Sequence, residues 1–220
     1  DMAVTSPVWT QTIMVAEIDS INKNTETEEV GSPIEITSIF RNGTDTDIHA
    51  TKFEYFANGK LLKSFDESKT FPVNSSTEIK HEVTPTEAGT YKIQLKVTTD
   101  SGEYTKEIEV NVYPKDIKRT DIADVQKAEE GKQFLIEGRL TSNASGYDKH
   151  TAFFDSAYIQ DATGGINIFP ISGNYQEGQK LRIKGTTSSY QGEHQLNVHS
   201  IEVIDEAVQK IAPQTLKTGD

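Results

Sequence analysis

The sequence predicts an all-β protein in which a β-sandwich precedes a small five-stranded barrel. Apolar and polar residues alternate along short runs separated by turn sequences, and in the first half of the chain we find no convincing helical pattern of about ten residues or more. The pattern changes at Tyr113-Pro114-Lys115-Asp116, where Pro114 cannot donate to a β-ladder. We therefore assign residues 1–114 to the sandwich and residues 115–220 to the barrel with a C-terminal linker.

Short strands and tight turns account for the first domain. Asn58-Gly59 between two apolar runs is the strongest short indication of a β-hairpin, and Asp100-Ser101-Gly102 predicts another turn. Strands at a spacing of about 8–12 residues are typical of a sandwich. The predicted strands cover residues 34–40, 53–56, 60–65, 77–83, 91–97 and 104–112.

The second domain has a different order of elements. Residues 121–128 form a lead-in that is either helical or looped, and residues 141–152 form a polar loop. A hairpin over residues 156–169 turns at Gly164-Gly165. Five strands in about 90 residues suit a small Greek-key barrel. The strands outside the hairpin are predicted over residues 130–140, 176–185 and 195–204.

Charge and composition argue against several classes of function. The chain carries 22 basic and 34 acidic side chains, a net charge of −12, which argues against a strong, nonspecific binder of duplex DNA. Residues 1–114 hold 10 basic and 19 acidic side chains, and residues 115–220 hold 12 and 15. The absence of cysteine excludes disulfides, cysteine-ligated zinc, iron–sulfur clusters and thiol nucleophiles. The longest apolar runs, such as residues 13–16, are far shorter than the roughly 20 residues of a membrane-spanning helix.

We expect neither a cofactor nor a metal in this chain. His194 and His199 lie five residues apart, so they would fall on opposite faces of one strand. Asp45-Thr46-Asp47 has the start of a calcium loop but lacks its glycine and distal glutamate, and a calcium ion between sandwich loops stays an open alternative. The sequence has no nucleophile elbow, P-loop or metalloprotease helix motif, so we expect this fragment not to be an enzyme.

Both ends of the sequence suggest a piece of a longer polypeptide. The chain opens at Asp1 without a signal-peptide pattern and stops at Asp220 without a final helix or strand, with natural ends as the alternative. A surface rich in threonine, serine and asparagine, with more lysine than arginine, favours a secreted or cell-surface bacterial protein. We expect a monomer within the longer chain, without membrane insertion.

Two stretches of the first domain resemble known modules. Residues 1–9 (DMAVTSPVW) are similar to the first strand of CARDB-type adhesion modules. Residues 85–91 (PTEAGTY), followed by alternating strands to Val112, resemble the end of bacterial immunoglobulin-like modules. The resemblance implies an immunoglobulin-like sandwich in which Tyr91 is a tyrosine-corner residue, with its hydroxyl bonded to upstream backbone.

The second domain resembles the OB-fold domains of secreted bacterial nucleases and nucleotidases. The resemblance is carried by residues 158–166 (YIQDATGGI), by Glu177-Gly178 before a basic strand, and by Glu202-Val203. It implies an OB-fold barrel that helps to hold a polymeric substrate, nucleic acid, for a catalytic domain elsewhere in the same protein.

The outer face of the 156–169 hairpin is the candidate binding surface. Alternation predicts that the isoleucines of this hairpin point inward and that the residues between them point outward. The second and third strands usually form the ligand platform of an OB-fold, and an aromatic ring stacked on a base contributes about 1–3 kcal/mol. Arg182 and Lys184 lie on one face of the predicted fourth strand and would contact phosphate groups. The candidate ligand-binding residues are Tyr158, Gln160, Asn167, Phe169, Arg182, Lys184 and Tyr190, with Tyr147, Lys149 and Gln191 as flanking loop residues.

These observations together predict a noncatalytic accessory region of a larger secreted or cell-surface bacterial protein. The barrel would bind single-stranded nucleic acid for a separate catalytic domain, and the sandwich would act as a spacer or adhesion module. One alternative is a cell-surface adhesion or structural segment that binds protein or glycan. Another alternative is hydrolase activity in the fragment itself, because strand folds bring distant carboxylates together.

Overall fold

The computed structural model of the chain describes residues 14–141, 155–171 and 175–205. Most of these residues lie in strands, which confirms the all-β prediction. They divide into two compact units, one formed by residues 14–25, 32–85 and 90–110 and the other by the remaining described residues. The predicted boundary at residue 114 stays a prediction, and residues 1–9, Tyr147 and Lys149 lie outside the described residues.

The first unit is a sandwich of two β-sheets. One sheet has the order β1-β3-β7, and the other has the order β9-β8-β4-β5, with β6 paired to β4. The short β2 pairs in parallel with the end of β9, at Glu28 and Val112, and these two stretches fall within the second unit. The strands are β1 (Ala16–Lys23), β2 (Glu28–Glu29), β3 (Ile34–Asn42), β4 (Ile48–Ala57), β5 (Lys60–Phe65), β6 (Lys69–Phe71), β7 (Ser75–Val83), β8 (Gly89–Thr99) and β9 (Gly102–Tyr113).

Aromatic packing joins the two sheets of the sandwich. Along β3, buried side chains alternate with more exposed ones, so one face of this strand points into the core. Phe40 of β3 stacks on Phe71 with ring centroids 4.0 Å apart and meets Tyr104 edge-on at 5.0 Å. Since Phe71 and Tyr104 belong to the opposite sheet, Phe40 holds the two layers together.

A chain of hydrogen bonds also runs from Tyr55 and His81 in the sandwich core to the exposed Glu67. The Tyr55 hydroxyl lies 2.8 Å from His81 Nδ1, and His81 Nε2 lies 2.8 Å from a Glu67 carboxylate oxygen. Because a carboxylate can only accept, Nε2 donates to Glu67. Phe65 stacks on the imidazole ring with centroids 4.2 Å apart. Burial, aided by the nearby charge of Glu67, raises the pKa of the Tyr55 hydroxyl.

The predicted sandwich turns are confirmed. Asn58 and Gly59 have φ angles of 51° and 76° and connect β4 to β5 as a two-residue hairpin loop, a position where Asn-Gly is favoured because both residues tolerate positive φ. Gly102 is the last residue of the second predicted turn, has a φ of 120° and begins β9. The Tyr91 tyrosine corner stays a prediction.

The second unit is built around a closed five-stranded barrel. Its strand order is β10-β11-β12-β14-β13, with β13 paired back to β10, and β12 and β14 run parallel. The sequence-based prediction of a five-stranded barrel is confirmed. The elements are α1 (Ile122–Lys127), β10 (Gln133–Leu140), β11 (Asp155–Gln160), β12 (Gly165–Ile171), β13 (Lys180–Tyr190) and β14 (Glu193–Asp205).

The helical alternative for the lead-in is the correct one. Helix α1 buries Ile122 and Val125 in the same apolar cluster as the inward-facing isoleucines of the barrel. The helix has six residues, and no helix among the described residues is long and apolar enough to cross a membrane.

Candidate ligand-binding face of the barrel

The two faces of the β11–β12 hairpin are as the alternation predicted. Ile159 and Ile168 are fully buried, whereas Tyr158 on β11 is 45% exposed and Phe169 on β12 is 37% exposed. Tyr158 lies directly opposite Asn167, which is half-buried on the same outer face. Two adjacent strands thus present two aromatic rings and an amide outward.

The ring of Tyr158 lies over a glycine on the neighbouring strand. A β-carbon built on Gly165 would lie 2.4 Å from Tyr158 Cε1 and 2.9 Å from its hydroxyl, so the ring lies directly over the glycine backbone. Gln126 of α1 donates a hydrogen bond to the Gly165 carbonyl. The second glycine of the predicted turn therefore begins β12 and makes room for the ring.

A groove of about 560 Å³ opens beside Tyr158, and we call it the aromatic groove. The His194 ring is fixed at its wall, because Nε2 donates to the Val125 carbonyl at 3.1 Å. The chemistry of the lining is mixed, with one aromatic ring, two amides, one carboxylate and one imidazole. The groove is lined chiefly by Gln126, Tyr158, Asn167, Glu193 and His194.

Tyr190 belongs to the same face of the barrel. It is 64% exposed at the end of β13 and lies opposite Glu193 across the tight Gln191-Gly192 turn. Directly opposed residues of an antiparallel pair point to the same face of the sheet. Because Glu193 lines the aromatic groove, Tyr190 lies on the same face as that groove. The Gln191 amide lies 3.5 Å from the Tyr190 hydroxyl and donates to it.

A polar network fixes the amide of Asn167. Its Nδ2 donates to Gln195 Oε1 at 3.5 Å, and Gln195 Nε2 lies 3.3 Å from the Ser188 hydroxyl and 3.4 Å from Asn197 Oδ1. Gln195 is buried, so these hydrogen bonds satisfy an amide that would otherwise be costly to bury. The network ties β12, β14 and β13 together behind the aromatic groove.

Arg182 and Lys184 lie on a different part of the barrel. Their strand, β13, is separated from β11 by β10 and from β12 by β14. Arg182 donates to Glu137 at 3.0 Å and to Glu202 at 3.2 Å, and the hydrogen bond to Glu137 contributes most to raising its pKa. Lys184 Nζ lies 5.7 Å from the ring centroid of Tyr113. The structure does not bring these two cations together with Tyr158 and Phe169.

Gln160 lines a second cavity, of about 360 Å³, at the end of β11. Its neighbour on β10 is Arg139, which in turn pairs with Lys180 on β13. Arg119 lies against the same cavity. We call the cavity between these four side chains the basic pocket.

Asp161 holds the turn that connects β11 to β12 and the start of α1. One carboxylate oxygen accepts hydrogen bonds from the backbone N–H groups of Thr163 at 2.8 Å and Gly164 at 3.1 Å, and the other accepts from Ile122 N–H at 3.0 Å. The Thr163 hydroxyl accepts from Ala123 N–H at 3.1 Å. The turn thereby caps the helix, a role for which an aspartate and a threonine are well suited.

The hydrogen bonds to Asp161 determine its ionisation. Burial raises the pKa of the carboxyl, but the bonds donated by Thr163, Ile122 and Gly164 together outweigh burial and hold the pKa below its usual value. The surrounding N–H and O–H donors therefore stabilise the ionised form of Asp161 more than its protonated form. These hydrogen bonds within the turn offset much of the carboxylate charge.

Asp161→Asn is expected to lower the free energy of unfolding of the barrel by about 1–2 kcal/mol at neutral pH. The lowered pKa means that this stabilisation is present above the unfolded-state pKa of about 3.9 and is lost as the pH falls through the folded-state value. Urea unfolding at neutral pH and at about pH 3 measures the difference, which shrinks on acidification. Asp66→Asn, at an exposed aspartate of the sandwich, is the control. A difference that stays constant with pH contradicts this role.

Sequence reasoning missed several residues that line the two cavities. Alternation gives the outward face of a strand, but Gln126 and His194 reach the aromatic groove because α1 packs beside β12 and β14. Glu193 could have been found from its position opposite Tyr190 across a two-residue turn. Arg119, Arg139 and Lys180 meet only through the order in which the strands close the barrel.

Comparisons with known proteins give similarities of fold alone. No protein-family model matches the chain, and no curated protein matches it. Among solved structures, the chain is similar to a CARDB domain from Pyrococcus furiosus in complex with di-metal ions, with 19% identity, a TM-score of 0.36 and coverage of 51% of this chain and 99% of that one. It is also similar to the sporulation control protein Spo0M from Bacillus subtilis, with 12% identity, a TM-score of 0.35 and coverage of 90% and 82%. At these TM-scores the similarities carry no argument about function.

Proposed function

We propose that the barrel binds single-stranded nucleic acid on the outer face of β11 and β12. The observation that carries this proposal is the exposure of Tyr158 and Phe169 on adjacent strands, at the platform that OB-folds use for oligonucleotides. Stacking on an aromatic ring has no sequence preference, because every base has a π-face. Asn167 and Tyr190 supply polar and aromatic contacts beside the two rings.

The wider function that we propose rests on the sequence. The chain is a noncatalytic accessory region of a larger secreted or cell-surface bacterial protein, in which the barrel holds substrate for a separate catalytic domain. The immunoglobulin-like sandwich is a spacer or adhesion module. The resemblance of residues 158–166 to the barrels of secreted nucleases and nucleotidases supports the choice of nucleic acid as substrate.

Tyr158→Ala and Phe169→Ala are each expected to weaken binding of a fluorescent oligothymidylate by roughly 5- to 150-fold, the equivalent of removing one stacked ring. Fluorescence anisotropy of the full chain at low salt measures the dissociation constant. Leu61→Ala removes an equally exposed apolar side chain from the sandwich and leaves the affinity unchanged. Wild-type protein that binds no oligonucleotide, or variants that bind as well as wild type, would refute the proposal.

A glycan is the second candidate ligand, favoured by the charge of the aromatic groove. Glu193 lies in its wall together with the amides of Gln126 and Asn167, and a carboxylate with amides suits sugar hydroxyl groups better than phosphates. The net charge of −12 also disfavours a polyanion. This alternative is supported if the wild-type chain binds neutral oligosaccharides but not oligothymidylate, and if Tyr158→Ala abolishes the oligosaccharide binding.

A further inference from the structure

The basic pocket is a local reversal of charge in an acidic chain. Arg119, Arg139 and Lys180 line a cavity of about 360 Å³, whereas the chain as a whole has a net charge of −12. The aromatic groove lacks such a set, because none of the described residues that line it is a lysine or an arginine. A converging set of cations in a concave site raises the local concentration of anions.

Backbone pairing fixes the positions of these cations. Gln160, Arg139 and Lys180 are register partners across β11, β10 and β13, so their side chains form one row on the outer surface of the barrel. Arg139 donates from one terminal nitrogen to the Gly178 carbonyl at 3.0 Å, which anchors its guanidinium at the wall of the pocket. Arg119 pairs with Leu135 through an isolated β-bridge, which holds it beside β10.

Two carboxylates, Glu137 and Asp161, also line the pocket, and hydrogen bonds within the protein offset their negative charge. Glu137 accepts from Arg182 at 3.0 Å, so an outside cation already balances its charge. The Asp161 carboxylate accepts from the backbone N–H groups of the β11–β12 turn and of α1. Arg119 also contacts Asp121 at 3.0 Å, but both side chains are about half exposed, and such surface pairs are weak enough for an incoming anion to compete.

We propose that the basic pocket binds a phosphate group. Planar guanidinium groups bind phosphate oxygens through paired N–H donors, a lysine adds a point charge, and the Gln160 amide adds a neutral donor. The phosphate belongs either to the strand bound at Tyr158 or to a small phosphate compound. The first source rests on the proposed function, since Gln160 and Tyr158 lie two residues apart on the same face of β11, a spacing of roughly 7 Å.

The test is an NMR titration in which inorganic phosphate is added to the isotope-labelled full chain and the chemical shifts of the backbone amides are followed. A titration with chloride at equal ionic strength is the reference. We expect saturable shifts of the backbone amides of Gly138, Gln160 and Asp161, and loss of these shifts in Arg119→Gln/Lys180→Gln. Lys115→Gln/Lys132→Gln makes the same change of charge at exposed lysines and keeps the shifts. Absence of phosphate-specific shifts in the wild-type chain, or equal shifts in both double variants, overturns the proposal.

Oligothymidylate binding by the same variants identifies the source of the phosphate. If the strand supplies it, Arg119→Gln/Lys180→Gln weakens oligonucleotide binding and reduces the slope of log affinity against log salt by about 0.7 for each phosphate that the variant no longer neutralises. If a small phosphate compound supplies it, phosphate shifts the pocket amides and the variant binds oligonucleotide as well as wild type does. Phosphate binding by a chain that binds no oligonucleotide leaves the pocket standing and refutes the proposed function alone.

Discussion

Phe40→Ala is expected to lower the free energy of unfolding of the sandwich by about 3–5 kcal/mol, the usual cost of deleting a fully buried phenyl ring. Phe40 is completely buried, stacks on Phe71 at 4.0 Å and meets Tyr104 edge-on at 5.0 Å. Its partners belong to the opposite sheet, so the truncation opens a cavity where the two layers meet. Native-state hydrogen exchange of the sandwich amides measures the change.

Leu61→Ala is the control for this substitution. Leu61 is a large apolar residue in β5, but 49% of it is exposed, so its truncation is expected to change stability by no more than about 0.5 kcal/mol. Equal destabilisation by the two substitutions would show that Phe40 does not join the layers.

Gly185→Ala is expected to destabilise the barrel by about 3 kcal/mol through overpacking. A β-carbon at this position would lie 2.4 Å from the Asn197 carbonyl oxygen and 2.7 Å from Leu196 Cγ. The backbone of Asn197 cannot rotate away from the added methyl group as a flexible side chain can, so β13 and β14 must move apart. Gly185 lies at an irregularity in the register of these two strands, a place where glycine allows two backbones to approach closely. Hydrogen exchange of the β13 and β14 amides reports the destabilisation.

Gly164→Ala is the matched control within the same barrel. The added β-carbon would lie 3.7 Å from Ala123, which is ordinary van der Waals contact. A glycine-to-alanine change at a compatible site stays within about 1 kcal/mol of neutral. If Gly164→Ala costs as much as Gly185→Ala, the close approach of β13 and β14 is not the cause.

Part of the candidate site could be predicted from alternation alone. The outward positions of Tyr158 and Phe169 follow from their isoleucine neighbours, because successive side chains of a strand point to opposite faces. The turn residues Asn58 and Gly59 likewise follow from local backbone preference. Asp161 belongs to the motif at residues 158–166, but its role in capping α1 depends on contacts with a segment about 40 residues earlier in the chain.

Local sequence therefore determined that this protein is built of strands, where its tight hairpins turn, and which side chains of the 156–169 hairpin face solvent. Only the tertiary structure decided which strands are neighbours where no tight turn joins them. Closure of the barrel places Arg139 between Gln160 and Lys180, and places Arg182 between two carboxylates, away from the strands of Tyr158 and Phe169. The physical reason is that alternation specifies a face, while register between distant strands depends on how the whole apolar interior is filled.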